Sequence, residues 1–306
     1  MSAVNCGAVE LSAPARCMRV ATDSLARSLA AGAHTIKNSV GTFAEEFRGA
    51  GMGARNVDGN GANVIDRMGN TTRSRGPWLI GWDASMRHYT FEPHQVRSMR
   101  MVDHEGNLIG VSFPTQDGSR QGISDYQAYS TWSRMPNRLS DKEYIPNRGA
   151  IGRAPGPALP APWADDAREG MLYVHSHSGP RGFEIKVNVG TDQEPDWRVL
   201  LVPGPFFGHV LAANRHFQAA SRAGPGKPLL MLACHAGDPE YGHAARTAEV
   251  LHRAGMNHDV YATVDINRAR WATETGTAMV YVDVPPGTEP SDAITVIRAP
   301  RSRSET

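Results

Sequence analysis

Two short apolar runs, each stopping at a reactive side chain, constrain this chain more than any other feature. The first covers residues 171–179: Met171, Leu172, Tyr173 and Val174 lead into His175, Ser176, His177, Ser178 and Gly179. The second covers residues 228–238: Leu229, Leu230, Met231 and Leu232 lead into Ala233, Cys234, His235, Ala236, Gly237 and Asp238. An apolar run that ends abruptly in polar residues and glycine is the pattern of a buried parallel strand at its C-terminal end. Ligands and catalytic groups of open α/β sheets gather beyond those ends. A histidine and a cysteine from distant parts of the chain are thereby predicted at one edge of one sheet. A thiol is a strong nucleophile only as thiolate, and a neighbouring imidazole is a common means of generating it.

The pattern around the two runs sets the fold class. From residue 171 onward, strand and helix signals alternate. Residues 183–189 and 197–202 read as a hairpin beside the His strand. Phe206, Val210, Ala213, Phe217 and Ala220 mark one helix of core-facing spacing. After the Cys strand, Asp238 and Pro239 are placed to open another helix as N-cap and first residue, with Gly255 just past its end. Residues 260–264, 278–284 and 293–297 read as strands. Upstream lie a strand at 78–82, a hairpin of 96–102 with 108–113 and a helix near 126–134. A connector at 154–162 carries Pro155, Pro157, Pro160 and Pro162. The expectation is an α/β fold with a mostly parallel central sheet flanked by helices.

An N-terminal helical segment precedes it. Leu25, Leu29, Ile36, Val40, Phe43 and Phe47 share one face of an amphipathic helix that Gly49, Gly51 and Gly53 end. Such a helix either packs on the domain or serves export or partner binding. Asn56 to Gly61 opens like a calcium loop, but its twelfth position is Arg67 instead of Glu, so it reads as a glycine-rich turn. The domain reading is therefore a helical or loose segment over 1–75, an α/β domain over 76–300 and a frayed tail over 301–306.

Composition removes several function classes. The formal net charge is +1, which points to no nucleic-acid or membrane partner. Lysine occurs only at Lys37, Lys142, Lys186 and Lys227, so the basic residues are mostly Arg; this reads as coding bias. Three cysteines, Cys6, Cys17 and Cys234, are too few and too uneven for a disulfide framework. No run is long enough to span a membrane, and the N-terminus lacks the order of a secretory signal. The expected location is cytoplasmic, or exported by a specialised route. No cofactor is implied.

Strand alternation sends His175 and His177 to one face. His177 lies nearer the strand end and is the candidate general base. His175 sits deeper, as an accessory or a hydrogen-bonded core residue. Cys234 is the candidate nucleophile; the blander reading is a small buried hydrophobe. Ala233 and Gly237 are expected to leave room for a substrate backbone. The helix expected at Asp238 would put its positive end near the thiol. Backbone N–H groups around Ser178, Gly179 and Cys234 are candidates for an oxyanion hole. Asp238 is an accessory candidate, as a helix cap or, with Glu240, as a selector of basic substrate residues.

This pair of strands resembles the caspase-like fold of clan CD cysteine peptidases, where His and Cys follow adjacent parallel strands. The caspase signature is Gln-Ala-Cys-x-Gly with a His about 50 residues upstream. Here Leu232 stands for the Gln, an extra residue precedes Gly237, and Ser178 separates the His from its Gly. From about Gly110 to Ala262 the order of motifs is similar to the "lonely Cys" domains of large actinobacterial toxin-like proteins. That resemblance implies a peptidase with Cys234 and His177 as its pair. Its substrate would be a peptide or protein, with its own chain or a neighbouring toxin module as candidates.

Two rivals stand beside it. His175-Ser176-His177 matches the His-Ser-His of JAMM zinc hydrolases, but Asn188 occupies the position of their Asp ligand and Ile185 that of their Ser. An amidohydrolase-type His-x-His strand lacks convincing later ligands. The third reading is a catalytically inactive caspase-like interaction module.

Overall fold

β8 (Leu172–Gly179) has two characters, and the architecture follows from them. Its first half is wholly buried and its second half is partly exposed. Residues Leu172–His175 pair in parallel with β11 (Leu229–Leu232). On the other edge, Tyr173–Ser176 pair in parallel with β4 (Leu108–Phe113). Beyond that, His177–Gly179 turn back through Pro180 and Arg181 into antiparallel pairing with β9 (Gly182–Asn188). The computed structural model describes residues 77–115, 125–138, 140–147, 157–272 and 277–300, all within the unit Ser74–Thr306. The predicted N-terminal helix, the glycine-rich turn at 56–61 and the tail at 301–306 lie outside the described residues.

The chain is α/β, and its large sheet is mixed. Four strands run parallel in the order β4, β8, β11 and β12 (Val260–Thr263). Antiparallel strands extend the sheet on all sides. β15 (Ile294–Ile297) closes the edge beside β12. β3 (Met99–Val102) pairs with β4. β9 leads to β10 (Trp197–Val202), β1 (Leu79–Trp82) and β2 (His88–Phe91). The expected mostly parallel sheet is thus corrected: parallel pairing is confined to the centre. The reason is local, since short turns can join only antiparallel neighbours, and most links outside the centre are short.

A second, five-stranded sheet was not foreseen. It runs β13 (Asn267–Ala272), β14 (Thr277–Asp283), β6 (Glu143–Asn147), β7 (Leu159–Pro160), with β5 (Asn137–Arg138) also on β14. Part of the proline-rich connector supplies β7, an edge strand, where proline costs the ladder little.

Period-two alternation sorts the parallel strands' side chains into two cores. Val111, Phe113, Leu172, Val174, Leu229, Met231, Val260 and Ala262 face the helices α2 (Gly204–Ala213), α3 (Arg215–Ala223) and α4 (His243–Arg253). Phe207 of α2 is central there, stacked on Phe183 at 4.0 Å and edge-on to Phe113 at 5.3 Å. Tyr173, Leu230, Leu232 and Tyr261 face the other way, toward Trp132 of α1 (Asp125–Ser133) and Ala278, Val280 and Val282 of the second sheet. Full burial of such side chains stabilises by roughly 1.5–3 kcal/mol each before entropy is counted.

Two helix boundaries differ from expectation. The single helix read through Phe206 and Ala220 is broken at Asn214. That residue is extended (φ −76°, ψ 119°), and its Oδ1 accepts from the N–H groups of His216 and Phe217, so α3 restarts with its own cap. The helix expected at Asp238 begins only at His243, after Gly242 in the left-handed region (φ 62°). Its other end follows the pattern: Gly255 has φ 79° just past the cap.

Candidate functional site

The register between β8 and β11 positions the site. His175 lies opposite Leu232. The parallel pairing ends there; His177 and Cys234 each lie two residues beyond it, His177 where β8 turns to β9 and Cys234 in the turn after β11. His175 shares a face with Tyr173, and the Cys234 Sγ reaches the second sheet at Asn267.

His175 is a core residue. It is 1 % exposed, and its Nδ1 lies 2.7 Å from the Ser112 hydroxyl of β4. The Tyr129 ring of α1 stacks on the imidazole, with centroids 3.5 Å apart and planes 21° from parallel. His177 is half-buried, and its ring meets the edge of His175 at 5.6 Å and 77°. Of the two, His177 is the one that solvent and a substrate can approach.

Cys234 occupies a turn. The Ala236 N–H bonds to the Ala233 carbonyl (3.4 Å), and His235, third in the turn, has φ 56°. A positive φ at that position is the mark of a type II turn, normally filled by Gly or Asn. A left-handed histidine is strained and stays there only because its surroundings hold it. They do: the His235 N–H donates to the Asp265 carbonyl (3.0 Å), and its ring nitrogen lies 3.7 Å from the Asp265 carboxylate.

The Cys234 Sγ is half-buried and donates to the Asn267 carbonyl of β13 at 3.7 Å. Burial pushes its pKa above 9.0, and Asp283 and Asp265 add to that, while the Arg268 guanidinium opposes it. Arg268 is itself paired with Asp283 at 3.3 Å. Burial thus favours the thiol over the thiolate. Asn267, Asp265, Arg268, Ser112 and Tyr129 were not found in the sequence. Their strands and helix meet the site only through tertiary packing, and no local motif marks them.

Three expectations about the surroundings are corrected. Gly237 does not make room for substrate, because a Cβ there would lie 2.4 Å from the Ala262 carbonyl oxygen; the glycine lets the loop pack on β12. Ala233 is buried and lines the helix-side core. Asp238 is no helix cap: its Oδ1 accepts from the Glu240 N–H (2.8 Å) within a turn, and α4 starts nine residues after Cys234. The dipole of α4 is thus not delivered four residues from the thiol. Gly179, by contrast, has open space at its Cβ position. Its neighbour Ser178 donates a hydrogen bond from its hydroxyl to the Cys234 carbonyl.

The His-x-His zinc pattern is not completed. Asn188 Oδ1 accepts from the N–H groups of Gly190 (3.1 Å) and Asp196 (2.9 Å) in the turn after β9. Ile185 is buried in the core. Among the described residues, no group of three or more His, Cys, Asp or Glu side chains is gathered closely enough to hold a metal ion. Among the same residues, no helix is long and apolar enough to cross a membrane. No protein-family model, no curated protein and no solved structure matches the chain, so the chemistry of the site rests on its own geometry.

Proposed function

We propose that this chain is a cysteine peptidase of caspase-like, clan CD type, with Cys234 as nucleophile and His177 as general base. The observation that supports this reading is that β8 and β11 are parallel neighbours up to His175 and Leu232, and that the Ser178 hydroxyl beside His177 bonds to the Cys234 carbonyl. In this mechanism His177 removes the thiol proton as the sulfur attacks a peptide carbonyl carbon. The carbonyl oxygen takes the negative charge, for which backbone N–H groups near Ser178, Gly179 and Cys234 are the candidate donors. The intermediate collapses as imidazolium protonates the leaving amine, and water then hydrolyses the thioester. The burial of the thiol fits deprotonation at the moment of attack and not a standing ion pair. Resemblance to the lonely-Cys domains makes a toxin-associated protein, or this chain itself, the natural substrate.

The test is cleavage of a peptide library, and of the chain itself, by point variants. Cys234→Ala and His177→Ala should each lower turnover by about 10²-fold or more, and the double variant should be no worse than either. His175→Ala should keep measurable turnover, with stability lower by about 2 kcal/mol from the lost Ser112 bond and stacking. Activity should survive a chelator and vanish on alkylation. Cleavage by Cys234→Ala at the parent rate would sink the peptidase reading and leave the interaction module.

A further inference from the structure

We propose that Ser178 is a positioning residue that sets the distance between the His strand and the Cys loop. This rests on the peptidase reading above and deepens it. The loop 233–237 is held firmly on its β12 side. Thr263 Oγ1 donates to the Ala233 carbonyl (3.2 Å), and the His235 N–H donates to Asp265 (3.0 Å). The Gly237 N–H donates to the Thr263 carbonyl (2.8 Å), while Thr295 Oγ1 donates to the Gly237 carbonyl (2.5 Å). From behind, the Ala244 N–H of α4 holds the Ala236 carbonyl (2.8 Å).

All of these bonds fix the loop against β12, β15, α4 and the segment after β12. His177, however, rides on β8. Ladder pairing between β8 and β11 stops at His175 and Leu232, two residues short of His177 and Cys234. Beyond that point β8 leaves for β9. The Ser178 hydroxyl bridges this gap by donating to the carbonyl of Cys234 itself. It thereby anchors the nucleophile's own peptide plane to the residue that follows the base. Ser178 is also the residue that separates His177 from Gly179, where the clan CD pattern runs directly from His to Gly. The insertion thus has a task of its own.

The experiment is a double-mutant cycle on the alkylation rate of Cys234 by iodoacetamide near neutral pH, followed by mass spectrometry on the peptide carrying Cys234. It needs no substrate. In the parent, His177→Ala should slow alkylation about tenfold, and in the Ser178→Ala background the same change should have less than about a twofold effect. Ser178→Thr, which keeps the hydroxyl, should behave as the parent, and Ser178→Val as Ser178→Ala. The Thr and Val pair differ by one hydroxyl on similar shapes, so they decide the matter if Ser178→Ala proves unstable. Full His177 dependence in both Ser178→Ala and Ser178→Val would overturn the positioning role while leaving the dyad intact. No His177 dependence in the parent would instead overturn the dyad, and this inference with it.

Discussion

His235 concentrates the strain of the site in one residue. Left-handed backbone costs an L-residue roughly 1–2 kcal/mol, and more if it is β-branched. Its φ of 56° directs the chain away immediately after Cys234, which leaves the thiol at the corner of the turn. Asn tolerates this conformation, whereas Val does not. His235→Asn should therefore unfold within about 1 kcal/mol of the parent, and His235→Val should lose about 2 kcal/mol or more in urea titration. Equal losses for both would show that the ring's contact with Asp265 matters and the backbone does not. Cys234 and His177 were legible as candidates at this scale because each ends an apolar run. The strain was not, since no local signal in Cys234-His235-Ala236 demands a left-handed residue; contacts with Asp265 and Thr263 impose it.

At the scale of elements, the Cys loop is rigid because it lies directly on β12. Gly237 makes that possible, since a methyl there would press on the Ala262 carbonyl at 2.4 Å. Gly237→Ala should lower stability by about 1–3 kcal/mol, the usual range for overpacking, and should slow Cys234 alkylation by displacing the loop. An unchanged melting temperature would mean the loop is free to shift. The same pressure operates at Gly110, whose Cβ would lie 1.9 Å from the Tyr173 carbonyl, so β4 reaches β8 only through a glycine. The four parallel strands were readable from apolar runs and turn residues. The start of α4 was not, because an Asp-Pro pair also suits a tight turn. Here Asp238 accepts from Glu240 and the chain needs five more residues to reach the helix axis.

Across the whole molecule, buried histidines link stability to pH. His258 is 2 % exposed, with Nδ1 donating to the Lys227 carbonyl (2.7 Å) and Nε2 accepting from the Ser221 hydroxyl (2.6 Å). His243 is 7 % exposed and donates through Nε2 to the Pro180 carbonyl (3.1 Å), while its Nδ1 is buried without a hydrogen-bond partner. Burial lowers both pKa values below 6.5. The unfolded chain then binds protons that the folded chain refuses. The stabilisation is complete above about pH 6.5 and is lost as pH falls toward the folded-state values. The urea midpoint should accordingly drop between about pH 7.5 and about pH 5.5. His258→Gln should flatten part of that slope; a midpoint constant over the interval would contradict the burial of these rings.

The sequence by itself determined the α/β class, the two strands and the face shared by His175 and His177, and it singled out Cys234 and His177 as candidates. These follow from periodicity and from where apolar runs stop, which are properties of neighbouring residues. Only the tertiary structure decided the mixed pairing of the sheet and the second sheet over the site. It also decided the burial of His175 beneath Tyr129 and the hold of Ser178 on Cys234. Each of those depends on which surfaces meet when separate elements of the chain are packed together. Alternation says which face a side chain takes, and packing alone says what lies opposite it.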